Sequence, residues 1–205
     1  SGILPIYTRT PTLTAMTAAS LDALSEGRFV LGLGASGPQV IEGFHGVKYD
    51  APLGRTREII DVCRTTWRRE PVVHAGRHYR IPLPEGEGTG LGKPLKLINH
   101  PVRERIPITV ASLGAKSVAQ TAEIADGWLA IFFAPEHAGE QLEALRRGRH
   151  AAGRGSAADP LDGFDIVPSV PVVVTDDVAE GLRRIAPYAA LYIGGMGSRE
   201  QNFYN

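Results

Sequence analysis

Paired cysteines are missing from this chain. Cys63 stands alone, so no internal disulfide is available. A single thiol on a helical stretch reads as a buried packing group and fits a reducing, cytoplasmic setting. An excess of charge is missing too, because 22 Lys and Arg balance 22 Asp and Glu. That balance removes the electrostatic footprint expected of a nucleic-acid or membrane-surface partner. No apolar run approaches the ~20 residues of a membrane-spanning helix. Arg146, Arg147 and Arg149 cluster, and they read as a solvated helix face. Nucleophile-elbow, zinc-protease and phosphate-loop motifs are absent. His74 and His78 lie four apart on a hairpin with no third ligand nearby, so no metal site is expected.

What is present is alternation. Apolar residues make up 43% of 205, enough for one substantial core. Short β-type runs at residues 2–4, 29–34, 106–111, 127–133 and 164–174 are separated by helical patterns at 11–24, 55–68, 115–124, 135–152 and 177–186. In the first helix Leu13, Met16, Thr17, Leu21 and Leu24 recur at helical steps and are the expected core face. In the second, Ile59, Ile60, Cys63 and Trp67 share a face. Residues 72–81 read as a hairpin with Ala75 and Gly76 at its tip, and 82–94 as a Gly- and Pro-rich loop that covers a substrate or lies on the surface. Strands separated by helices imply a parallel sheet, either open and doubly wound or closed into an eight-stranded barrel.

Residues 29–37, FVLGLGASG, match the dinucleotide spacing G-x-G-x-x-G through Gly32, Gly34 and Gly37. That fingerprint requires the third glycine to open a long helix. Here Gly43, Gly46 and Pro52 interrupt any helix begun at Pro38, which argues against the dinucleotide reading. A barrel strand opening into a long loop fits better, with 34–37 allowing backbone to approach a flat ligand. A second turn has a clearer physical case. After the strand ending at Ala111, residues 112–114 turn the chain and a helix starts near Ala115. Free helix-start amides, the Ser112 and Ser117 hydroxyls and the Lys116 ammonium can converge there on an anion such as phosphate. The competing reading makes Ser112 a plain helix cap. Asp126 pins a strand, and Trp128, Phe132 and Phe133 are packing residues on this view.

Three ordered stretches carry a family resemblance: GILPIYTRTPTLTAMTAASLDALSEGRFVLGLGASG, LGRTREIIDVCRTTWRREPVVHAGRHYRIP and IPITVASLGAKSVAQTAEIADGWLAIFF. Together they resemble the bacterial luciferase-like flavin enzymes, most of all the oxidoreductases that use the deazaflavin coenzyme F420. The resemblance implies an α/β TIM (β/α)8 barrel in which residues 1–205 form a single domain. That barrel lacks about its first two strands and its C-terminal end, and carries an insertion at about 71–100. The opening SGILPIY reads as a strand end, and residues 194–205 stop without a closing element, as in a piece of a longer protein. The resemblance places the cofactor at Gly2, Ile3 and Leu4, with a cis Gly2–Ile3 bond, at Ala35, Ser36 and Gly37, and at Ser112, Leu113, Gly114, Ala115, Lys116 and Ser117. It implies hydride exchange between F420 and a small organic substrate, in a homodimer or higher homo-oligomer. An FMN-dependent, oxygen-using monooxygenase and a non-catalytic flavin-binding fragment stay open as alternatives.

Overall fold

The computed structural model describes residues 2–196. Among them the elements run β1 (Leu4–Pro5), α1 (Pro11–Leu24), β2 (Leu31–Gly34), α2 (Pro38–Gly43), α3 (Pro52–Trp67), β3 (His74–Ala75) and β4 (Arg80–Ile81). Then follow β5 (Ile108–Ala111), α4 (Ala115–Ile124), β6 (Gly127–Ile131), α5 (Gly139–Ala151), β7 (Asp165–Ser169) and α6 (Val178–Ala190). The stretch expected to end without a closing element lies, from residue 197 on, outside the described residues.

Five strands form one parallel sheet in the order β1-β2-β5-β6-β7. β3 and β4 pair antiparallel as a separate hairpin. The parallel order follows the chain without reversal, so right-handed crossovers stack every helix on one face. A doubly wound sheet needs a reversal of order, whereas a barrel wall does not. The sheet is therefore an arc of barrel wall.

Its outer face is the apolar one. Leu31, Leu33, Ile108 and Val110 pack with Ala15, Ala18, Ile59, Ile60, Cys63 and Trp67 from α1 and α3. A second cluster joins Val118, Ala122, Trp128, Ala130, Leu145 and Phe164 beneath α4 and α5. Burial pushes the Cys63 thiol up to about 12 despite neighbouring Arg64, so it is an inert core group. By strand alternation Gly32, Gly34, Thr109 and Ala111 face the inner side, where the small side chains leave room.

Helix α1 spans the expected residues, with Thr10 Oγ1 capping the Leu13 amide at 3.2 Å. Its buried face differs from expectation. Leu13, Met16, Leu21 and Leu24 are exposed, while Thr14, Ala15, Ala18 and Ala19 are buried. Small residues let α1 approach α3 closely enough for the Trp67 indole N–H to reach the Ala15 carbonyl at 2.9 Å. Helix α3 begins at Pro52, three residues before the expected start, and buries the expected face.

The hairpin tip sits beyond Gly76, whose N–H donates to the Tyr79 carbonyl at 3.0 Å. The cause is Glu58 of α3, which gathers the amides of Arg77, His78 and Tyr79 and the ring of His74. Loop 82–94 holds to its own flank through the Arg80–Glu87 ion pair. β7 ends at Ser169, short of the expected Val174, where its partner β6 ends at Ile131. Arg149 corrects the solvated-face reading. It is 6% exposed, donates to the carbonyls of Pro160 and Asp162, and lies over the Phe164 ring.

Candidate functional site

Parallel pairing delivers the C-terminal ends of β1, β2, β5, β6 and β7 to one edge of the sheet. Residues 35–37 follow β2 there, and residues 112–114 follow β5. Ile3 is 48% exposed, and its Cγ2 lies 2.8 Å from where a Cβ on Gly34 would sit. A side chain at position 34 would therefore displace Ile3. Leu4 pairs with Leu33. Ser36 adopts φ +59°, and its carbonyl accepts from the Tyr49 hydroxyl at 3.3 Å.

Gly37 does precede a helix, as the dinucleotide spacing demands, but α2 has only 6 residues. The chain then loops to α3, so no long helix is aimed at the strand ends.

The expected cis linkage at Gly2–Ile3 is not formed. Among the described residues the cis bond is Ile81–Pro82. A non-proline cis bond costs about 3–4 kcal/mol and needs close surroundings to hold it. Here a Cβ on Gly2 would meet nothing within 4 Å, and half of Ile3 is exposed.

The turn after β5 is a bare helix start. Gly114 is the N-cap of α4, with φ −68° and ψ 147°, and no side chain caps it. The Val118 amide returns to the Gly114 carbonyl at 3.0 Å. The amides of Ala115, Lys116 and Ser117 have no partner among the described residues. Lys116 beside them is exposed and makes no ion pair there.

The hydroxyls behave differently from expectation. Thr121 Oγ1 donates to the Ser117 carbonyl, so the 2.9 Å contact of Ser112 Oγ with Thr121 Oγ1 must use the Ser112 proton. Ser117 Oγ donates to the Gly114 carbonyl at 2.7 Å. Both serine protons therefore shape the turn, leaving three amides, the positive helix end and an ammonium for an anion. Trp128 Nε1 holds the Ser112 carbonyl at 2.9 Å and fixes the turn on the sheet. A groove of about 380 Å³ opens beside Ala115, lined also by Gly139, Glu140, Glu143 and Arg147. This donor set fits a phosphate, and the small inner face beside it fits a flat ring.

A second constellation escaped sequence reading. Tyr7 follows β1, Arg55 lies in the first turn of α3 and Tyr79 is on the hairpin. The Arg55 guanidinium sits 5.7 Å from the Tyr7 ring centre and 5.5 Å from that of Tyr79, with Asp50 at 2.7 Å. Burial pushes the Tyr7 hydroxyl well above its usual range, and it donates to the Asp50 carbonyl at 2.7 Å. Residues 7, 55 and 79 share no local spacing, so only the fold unites them.

Asp126 is expected to pin the strand that follows it; its carboxylate instead accepts the Ile108 amide of the preceding strand β5 at 3.0 Å. Trp128 and Phe133 meet edge to face at 6.0 Å. Among the described residues no group of three His, Cys, Asp or Glu is arranged to hold a metal. No helix there is long and apolar enough to cross a membrane.

The chain is similar to known proteins along its whole length. A provisionally named coenzyme F420-dependent oxidoreductase of Mycobacterium tuberculosis is 50% identical over 206 residues, covering 100% of this chain and 58% of that protein. The 5,10-methylenetetrahydromethanopterin reductase of Archaeoglobus fulgidus is 28% identical over 177 residues, covering 86% of this chain and 47% of its own length. The solved F420-dependent tetrahydromethanopterin reductase of Methanopyrus kandleri superposes with a TM-score of 0.79 at 21% identity. That match covers 97% of this chain and 56% of that one, and shows the shared fold. The chain thus spans about half the length of these relatives, from 47% to 58%. The model of the luciferase-like monooxygenase family matches residues 1–205, and the chain belongs to that family.

Proposed function

We propose that this protein is an oxidoreductase that exchanges hydride between the deazaflavin coenzyme F420 and a small organic substrate. The observation that carries the proposal is the uncapped start of α4, with its three partnerless amides and Lys116 beside a small-residue strand face. The 50% identical relative named for F420 supports the choice of cofactor. When bound, the deazaflavin supplies the hydride-carrying carbon, and the chain supplies position and electrostatics. The amides of Ala115, Lys116 and Ser117 would hold the phosphate. Gly32, Gly34 and Ala111 would leave space for the ring, and Ile3 would close the wall behind it. Assembly as a homo-oligomer belongs to the same proposal, supported by the exposed apolar stripe of Leu13, Met16 and Leu24 on α1.

The test is a titration of the whole protein with F420 and, separately, with FMN, followed by fluorescence quenching. F420 is expected to bind at least about tenfold more tightly, a difference of about 1.4 kcal/mol. Tighter binding of FMN would move the protein to the oxygen-using monooxygenases. Binding of neither would leave a non-catalytic relative.

A further inference from the structure

The tyrosine and arginine constellation described above borders a cavity of about 370 Å³. Tyr7, Arg9, Val47, Arg55 and Tyr79 line it. We propose that this cleft is a carboxylate-binding subsite that receives the acidic tail of the deazaflavin, beyond its phosphate. This rests on the cofactor assignment above and extends it to residues which that assignment does not use.

The first support is charge. Asp50 neutralises Arg55 at 2.7 Å. Arg9 makes no ion pair or hydrogen bond among the described residues, although it lines the same cavity. The cleft therefore keeps one uncompensated guanidinium, a fork shaped for a carboxylate. The second support is shape. Arg55 is wedged between the rings of Tyr7 and Tyr79, so the wall is rigid. Tyrosine faces and Val47 offer apolar contact to the methylenes that separate the carboxylates of a glutamyl chain.

The third support is location. β1 neighbours β2, which neighbours β5, so the loop after β1 lies about 10 Å across the strand ends from the anion turn. The two sites are also tied directly. Gln120, one turn past Ser117 in α4, donates to the Leu53 carbonyl at 2.9 Å, two residues before Arg55. A chain leaving a phosphate at Ala115 would cross the end of β2 to reach the loop that carries Arg9.

The experiment compares F420 carrying several glutamates with the tail-less form that ends at the lactyl group, by fluorescence titration of the whole protein. The wild type is expected to bind the tailed form about tenfold more tightly. Arg9→Gln is expected to abolish that preference and leave tail-less affinity unchanged, while Arg9→Lys restores part of it. Equal binding of both forms by the wild type overturns the proposal, as does an equal loss of both in Arg9→Gln. A second titration uses γ-linked triglutamate and cofactor-free protein at low salt. Heat of binding lost in Arg9→Gln supports the cleft, and no heat in the wild type counts against it. If triglutamate binds and neither deazaflavin does, the cofactor assignment fails while the carboxylate subsite stands.

Discussion

Ile3 and Gly34 occupy one space at the strand ends: the isoleucine Cγ2 stands 2.8 Å from the position of a Cβ on the glycine. Gly34→Ala would force Ile3 aside, while Ala111, 3.5 Å away, tolerates the new methyl. Since Ile3 is half exposed, the shift costs the fold little. The thermal midpoint should fall by no more than a few degrees. Cofactor affinity should fall about tenfold, which is about 1.4 kcal/mol of misfit. The double variant Ile3→Ala, Gly34→Ala should recover most of it. Unchanged affinity in the single variant would place the ring away from this wall.

Stability and binding should move in opposite directions at Gly114. Its backbone is at φ −68° and ψ 147°, which any residue adopts, and a Cβ there would be 3.9 Å from Ser117 Oγ. Gly114→Asp would cap the bare amides of α4 and face its positive end with a carboxylate. A gain of about 0.5–1 kcal/mol is expected, raising the thermal midpoint by about 2 °C. The same carboxylate would repel a phosphate, and cofactor binding should weaken about a hundredfold or more. Calorimetry and titration of the same preparation check both signs. A stabilised variant that binds normally would remove the phosphate from this turn.

Glu58 should give the fold an acid-sensitive element. Burial pushes its carboxyl up, but the amides of Tyr79 and His78, the His74 ring and the Arg77 amide outweigh burial and hold it below 4.5. A carboxyl whose folded value lies below its unfolded one stabilises fully above the unfolded value. That contribution is lost as the pH falls through the folded value. Glu58→Gln should therefore cost about 1.5–3 kcal/mol near neutrality, with a side chain only 13% exposed to screen it. The gap to wild type should narrow below about pH 4.5. Urea midpoints at about pH 7 and about pH 4 measure it, and a constant gap would show that the charge is not what holds the hairpin.

Element positions were legible in the sequence where local chemistry sets them. Pro11 and Gly27 bracket α1, and Ala115 to Ile124 follow a helical period between Gly114 and Gly127. The buried face of α1 was not legible, because apolar residues occur nearly all around that helix. Tight helix packing selected the alanines, and size alone pointed to the leucines. At the anion turn, the bare helix start follows from glycine at the cap position. The partner of Ser112 is Thr121, nine residues on, and only the folded helix reveals it. The Gly2–Ile3 geometry came from resemblance, and the loose surroundings of those two residues do not support it. The Tyr7, Arg55 and Tyr79 cluster depends on long-range contacts that no local period encodes.

Asp126 has a wider consequence. At the ends of the strands opposite the anion turn, this one carboxylate holds the Ile108 amide, Arg105 and, at 3.6 Å, Arg64. The architecture is thus clamped at its base by one carboxylate shared between elements, while the bonds at the opposite rim, such as those of Ser112 and Asp50, each set a single loop. Random libraries confined to the rim should yield a high share of folded proteins with altered selectivity. The same mutational load at the base should yield mostly aggregates, which makes this molecule a candidate starting point for laboratory evolution.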